Sequence, residues 1–256
     1  MIKKEERKFT KSNLLEGMTS ISAVLNSGLE NDRKIETIWI DAEKRKSKMA
    51  EIGFLTAKSK ELGFSIKFVS RDEIEEISLG TSHGGIVAFC TDRTIPMLTI
   101  DQIVPNSFYV YLEGIEDPYN FGYTMRSLYA AGVMGMVMPP RNWMDAAGVV
   151  ARSSAGTSEL MPLYTADAES AIDQFKQAGY QVLCAGIRDS VSLFEEHFSY
   201  PILLVIGGEK RGISRNILEK ADQIVRIDYG RSFRGSLSAA SAATVMAFEI
   251  FRQNKG

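Results

Sequence analysis

Glycines gather behind apolar runs in the second half of the sequence: Ala185-Gly186 after Val182, Gly207-Gly208 after Ile202 to Ile206, and Gly230 to Gly235 after Ile224 to Ile227. A glycine lets bare N–H and C=O groups approach a ligand where a side chain would obstruct them. Any one of these is ordinarily a turn residue. Three such turns at the ends of consecutive strands point instead to a ligand held by loop backbone, because open α/β sheets bind ligands at the carboxyl ends of their strands. A dinucleotide-type pocket would need Gly-x-Gly-x-x-Gly after the first strand, with an acidic residue about 20 positions on. The stretch Glu113 to Asn120, after Leu112, has one glycine and no such spacing. No Lys-Ser or Lys-Thr follows a glycine cluster, so a P-loop is excluded as well.

Metal chemistry finds no support. Structural zinc wants four Cys or His ligands at short spacings, and His83 and His197 lie far apart with no paired cysteine near either. No metal is expected. Cys90 and Cys184 each sit inside an apolar run, where a buried free thiol is the ordinary state. With 45% hydrophobic residues over 256 positions the chain can bury a core of one large or two modest domains. Its longest apolar runs fall far short of the roughly 20 residues of a membrane span, and the charged start Met1 to Lys8 leads into no apolar segment. A cytoplasmic protein with no membrane partner is expected. The net charge of −2 excludes neither nucleic acid nor protein partners. Lys44-Arg-Lys46 with Lys48, and Arg231 with Arg234, are local basic clusters; a solvated helix face is the plainer reading of the first.

These residues need elements to hold them. Leu14, Met18, Ile21 and Leu25 recur at helical spacing, and strand signals follow at Thr37 to Ile40, Ser65 to Val69 and Gly85 to Cys90, with helices before Leu62 and over Asp72 to Ile77. This predicts a small α/β unit over residues 1–95. Thr91 to Pro96 is polar and ends in proline, so residues 96–105 read as a linker. From residue 106 to 256, strands alternate with helices: strand to Leu112, helix Tyr119 to Ala131, strand Val133 to Met138, helix Met144 to Arg152, strands Val182 to Ala185 and Ile202 to Ile206, helix Ser214 to Lys220, strand Ile224 to Ile227, and a final helix from about Leu237. Such alternation predicts a mainly parallel sheet covered on both faces.

Three stretches in this second half resemble, in order, the motifs of the SpoU (TrmH) branch of the SPOUT RNA methyltransferases. They are Leu112-Glu-Gly-Ile-Glu-Asp-Pro-Tyr-Asn-Phe-Gly122 followed by Arg126, Leu203-Leu-Val-Ile-Gly-Gly-Glu-Lys-Arg-Gly-Ile213, and Ile227 to Ala243 with its Ser-Leu-Ser helix start. Ser154-Ala-Gly156 sits where the family has Ser-x-Gly. The first 95 residues resemble the ribosomal-protein-like substrate-binding domain that precedes such catalytic domains, through Leu14 to Gly17 and His83-Gly-Gly-Ile-Val-Ala88. The resemblance implies a trefoil-knotted SPOUT domain, S-adenosylmethionine as cofactor, a homodimer, and methylation of a ribose 2′-hydroxyl in RNA, with rRNA ahead of tRNA. A knotted RNA-binding protein without catalysis and a base-nitrogen methyltransferase stand as rivals.

It also implies the site. Cofactor contacts fall on Ala185, Gly186, Ile206, Gly207, Gly208, Ile227, Ser236 and Leu237; catalytic positions fall on Asn120, Arg126, Glu209, Ser236 and Ser238. Arg126 matches the arginine that meets the ribose hydroxyl or its phosphate. Asn120, after Asp117-Pro118, would cap its helix or orient substrate. Glu209 would anchor Asn120 or Arg126, or pair across a dimer. Ser236 is expected to begin the last helix. Ser238 replaces the family's Asn, and its hydroxyl lacks the separate donor and acceptor of an amide.

Overall fold

The computed structural model describes residues 13–28, 31–81, 83–140, 146–208 and 212–255. Two compact units divide the chain: Met1–Thr94 with Asn142–Leu160, and Ile95–Arg141 with Met161–Gly256.

The first unit begins with β1 (Leu14–Glu16), α1 (Gly17–Leu25), β2 (Ile35–Asp41), α2 (Met49–Leu62), β3 (Ser65–Val69), α3 (Arg71–Ile77) and β4 (Ile86–Cys90). Its sheet has the order β1-β4-β2-β3, with β2 and β3 parallel and the other pairs antiparallel. The helical spacing from Leu14 is overturned over its first turn. Leu14 packs with Ile74 and Val87 while Leu15 packs with Ile21, Ile38 and Leu55. Adjacent residues buried in different clusters follow from a strand's alternation, which one face of a helix cannot provide. Gly17, at φ 80°, makes the turn into α1. Ser70 and Glu73 close α3 with a reciprocal capping box.

The second unit supplies β5 (Phe108–Leu112), α4 (Pro118–Ala130) and β6 (Gly135–Met138). Then come α5 (Ala147–Ser153) and α6 (Thr157–Leu160), which belong to the first unit. Returning, the chain forms β7 (Leu163–Thr165), α7 (Ala168–Gln177), β8 (Gln181–Ala185), β9 (Val191–Ser192), β10 (Ile202–Ile206), α8 (Arg215–Lys220), β11 (Gln223–Arg226) and α9 (Ala239–Asn254). The seven-stranded sheet runs β7-β6-β5-β10-β8-β11-β9, and its pairs are parallel. Every residue of β5 and β10 is buried, as strands covered on both faces must be. Tyr109 and Tyr111 lie against Phe175 and Tyr180 in the main core. The sequence analysis assigns nothing to β7, α6, α7 or β9.

Small residues let α5 and α6 lie on the first unit. Ala151 joins the Leu15 cluster, and a Cβ on Gly156 would stand 2.7 Å from the Ala23 Cβ. Glu159 is buried there, accepting from Arg33 Nε at 3.1 Å and from Asn31 Nδ2 at 2.9 Å. Residues 96–105 are packed: Leu98 and Ile103 are buried in the second unit's core, and Thr165 N–H donates to the Pro96 carbonyl at 2.8 Å. Cys90 and Cys184 are free and buried, and burial pushes each thiol up to about 12. Among the described residues no helix is long and apolar enough to cross a membrane.

Candidate active site

The centre of the parallel sheet brings its loops together at one end. Ile206 is in register with Leu112, Val205 with Cys184, and Val225 with Ala185. The chain therefore leaves β5, β10, β8 and β11 side by side. Around the exits of β10, β8 and β11 lies a cavity of about 680 Å³, within the range of small-molecule sites. Ala185, Gly186, Ile206, Gly207, Gly208, Ile227, Ser236 and Leu237 all line it. Its far wall is the first turns of α9, through Ala239, Ala242 and Met246.

The glycines are sterically required. A Cβ on Gly207 would stand 2.6 Å from the Gly212 carbonyl carbon, and one on Gly186 would stand 2.7 Å from the Ile224 methyl. Gly114 and Gly208 cross so closely that a Cβ on either would lie 2.8 Å from the other's Cα. Gly212 N–H donates to the Gly208 carbonyl at 3.0 Å, closing the loop after β10. Glu209, within that loop, lies outside the described residues.

The catalytic candidates separate into two groups. Ser236 and Ser238 line the cavity, whereas Asn120 and Arg126 sit on α4 and do not. Asp117, not Asn120, caps α4: its carboxylate accepts the Asn120 N–H at 2.8 Å, so capping does not occupy the Asn120 amide. Arg126 is exposed and has no ion pair among the described residues. The expected start of the last helix moves by two residues. Ser238 is its N-cap, with Oγ accepting from Ser241 N–H at 3.1 Å, and Ser236 lies in the non-helical approach. Leu237 N–H donates to the Tyr229 hydroxyl at 3.2 Å, which fixes that approach.

Residues 107–248 match the SpoU rRNA methylase family, and residues 14–96 match the family of RNA 2′-O ribose methyltransferase substrate-binding domains. The chain belongs to the SpoU rRNA methylase family. It is 25% identical over 250 residues to the 23S rRNA (guanosine-2′-O-)-methyltransferase RlmB of Shewanella oneidensis, covering 96% of this chain and 99% of that protein. The protein of the same name from Ralstonia nicotianae is 27% identical over 249 residues, covering 95% and 97%. An AdoMet-bound rRNA methyltransferase from Sinorhizobium meliloti shares the fold, with a TM-score of 0.76 at 24% identity over 98% of this chain and 90% of that one. The SpoU methyltransferase AviRb of Streptomyces viridochromogenes with AdoMet does so at 0.75 and 23%, covering 98% and 93%. The fold is thus the mainly parallel α/β fold of SpoU methyltransferases, preceded by a smaller α/β unit.

In this SpoU chain several cavity residues carry no motif of their own. Met246 and Ala242 follow Ala239 at helical spacing, a pattern visible in the sequence. Arg188 and Tyr229 offered no such signal. The wall at Ile227 is held by Asp228, which accepts from the Ser192 hydroxyl and, at 2.8 Å, from Arg226 Nε. Ser192 first, and then Arg226, hold the Asp228 carboxyl below its ordinary range.

Proposed function

We propose that this chain is an S-adenosylmethionine-dependent methyltransferase acting on a ribose 2′-hydroxyl of ribosomal RNA, in the cytoplasm and as a homodimer. The observation that carries the reading is the cavity, where glycine strand ends, apolar walls and the α9 start meet in a chain of the SpoU family. The residues fit the cofactor. Ile206, Ile227, Leu237 and Met246 offer apolar walls to an adenosine, and the bare backbone at Gly186, Gly207 and Gly208 offers it hydrogen-bonding groups. When bound, S-adenosylmethionine supplies a methyl group activated by its sulfonium.

The chain's own residues would then position the ribose. Ser238 spends its hydroxyl on the α9 cap and fixes the helix start at the cavity wall. Ser236, without a hydrogen-bond partner among the described residues, is free to hold substrate. A guanidinium stays protonated at physiological pH, so Arg126 would grip the phosphate and stabilise developing charge rather than take the proton. Asn120 and Glu209 would orient the reacting ribose beside it. The first unit, with residues to about 95, would bind RNA, and residues 106–256 would carry catalysis, with a trefoil knot in the chain.

Support for the dimer comes from α4 and α9, which pack together and leave aromatic rings outside. Tyr119 and Tyr123 are 44% and 52% exposed, and Phe248 is 43% exposed. Tyr119, Tyr123 and Arg126 form one stripe of α4 at helical spacing, so a second copy docked there would meet Arg126. A monomer in sedimentation at working concentration would remove the dimer. The reaction is tested with rRNA and methyl-labelled cofactor. Label should be recovered in alkali-resistant dinucleotides, because 2′-O-methylation blocks cleavage at that ribose. Label in base nitrogens would overturn the assignment, and cofactor binding without transfer would favour the non-catalytic rival.

A further inference from the structure

A second cavity, of about 220 Å³, opens within the first unit at the start of α1. Two buried polar side chains, Ser20 and His83, line it. Ser20 is 2% exposed and His83 is 7% exposed. Gly85 N–H donates to His83 Nδ1 at 3.0 Å, so Nδ1 is an acceptor and the ring proton sits on Nε2. Among the described residues neither His83 Nε2 nor Ser20 Oγ makes a hydrogen bond, and neither is sealed in the core, so both are reached from the cavity.

The rest of the lining points the same way. No side chain caps α1, which leaves its first N–H groups open. Glu16, at the cap position, is otherwise engaged: Oε1 accepts the Leu79 N–H and Oε2 accepts Arg152 Nη1 at 3.1 Å. Lys48, whose ammonium also donates to Glu51 Oε1 at 2.9 Å, and Arg152 add two cations at the wall. The cavity therefore offers a helix N-terminus, a hydroxyl, an imidazole N–H, an ammonium and a guanidinium, and its one carboxylate is already consumed by two donors. A lining this rich in donors suits an oxyanion.

We propose that this cavity holds one phosphodiester group of the substrate RNA. The inference rests on the reading of the chain as an RNA methyltransferase, and it adds an anchoring point in the first unit, separate from the cofactor cavity. The chain has 2 histidines, so its imidazole ring protons give two readily assigned sets of NMR signals, His197→Asn identifying the other. The full-length protein is titrated with an rRNA fragment, with the same fragment carrying neutral methylphosphonate linkages, and with inorganic phosphate. The His83 signals should shift with the natural RNA and, at higher concentration, with phosphate, and not with the neutral analogue. Ser20→Ala should weaken RNA binding about fivefold to tenfold. Lys48→Gln should reduce the salt dependence of RNA binding by about one counterion.

Unmoved His83 signals in a protein that still binds and methylates RNA would overturn this site alone. An equal response to the neutral analogue would assign it to base or ribose. A response to phosphate without a response to bound RNA would make it a free-anion site. Loss of both RNA binding and methylation would instead strike the functional reading itself.

Discussion

Arg126 is exposed on α4, and no carboxylate among the described residues claims its charge. If that cation acts on the reacting ribose and phosphate, Arg126→Ala should lower the methylation rate at saturating RNA by at least about two orders of magnitude. Cofactor affinity, measured by calorimetry, should hardly change, and Arg126→Lys should restore little because the planar fork is lost. Near-normal turnover in Arg126→Ala would reduce the residue to a binding contact. Asp228 gives a test in pH. Its carboxyl is held below the ordinary range, so its tie to Ser192 is present above that range and fails as pH falls through the lowered value. Cofactor affinity should be flat from about pH 5.5 to 8 and weaken only in stronger acid. Asp228→Asn should weaken it at neutral pH. That the glycines and Ile206 line one cavity was readable because their types and order carry the pattern. The cap was not: Ser236 and Ser238 are equally good capping residues, and the choice is made by where Tyr229 holds the backbone of Leu237.

The α5 and α6 helices depend on one buried pair. Arg33 and Glu159 have side chains only 0% and 2% exposed, and Glu159→Ala would leave a buried guanidinium without its counterion. Such a loss costs about 3–5 kcal/mol, to be read as a lowered urea midpoint; a change below about 1 kcal/mol would show that water or a shift of Arg33 relieves it. Gly207→Ala should abolish cofactor binding, because the added methyl meets backbone at 2.6 Å rather than a side chain that could move. Most strands and helices were legible from periodicity. Those the sequence analysis passed over, β7 and β9, have three and two residues, too short for alternation to show. By contrast α7 carries Ala171, Ile172 and Phe175 on its buried face, a helical spacing that was present to be read. Leu14 misled because a strand running straight into α1 imitates an extra helical turn.

At the scale of the whole molecule, two compact units divide the chain. A change of character near Pro96 coincides with the end of the substrate-binding match, but the excursion of α5 and α6 into the first unit is a matter of tertiary packing that no local pattern announces. A fragment ending at residue 96 would lose the Glu159 partner and the helices over α1. It should unfold at lower urea than the first unit does in the full chain, by hydrogen exchange at β4; equal protection would mean that α5 and α6 add nothing. Residues 96–105, packed through Leu98 and Ile103, should likewise exchange slowly.

Cys90 and Cys184 give the chain an experimental property of its own. With both thiols pushed up to about 12, only about one in ten thousand is ionised at pH 8, and burial keeps reagents out. Native protein should take up no maleimide within minutes, and two equivalents in denaturant. A single cysteine placed at exposed Ser232, outside the cavity lining, would then be the sole reactive handle. A fluorophore or spin label there would report movement of the α9 approach on cofactor binding, and in a dimer the distance between two copies, with both native cysteines left in place.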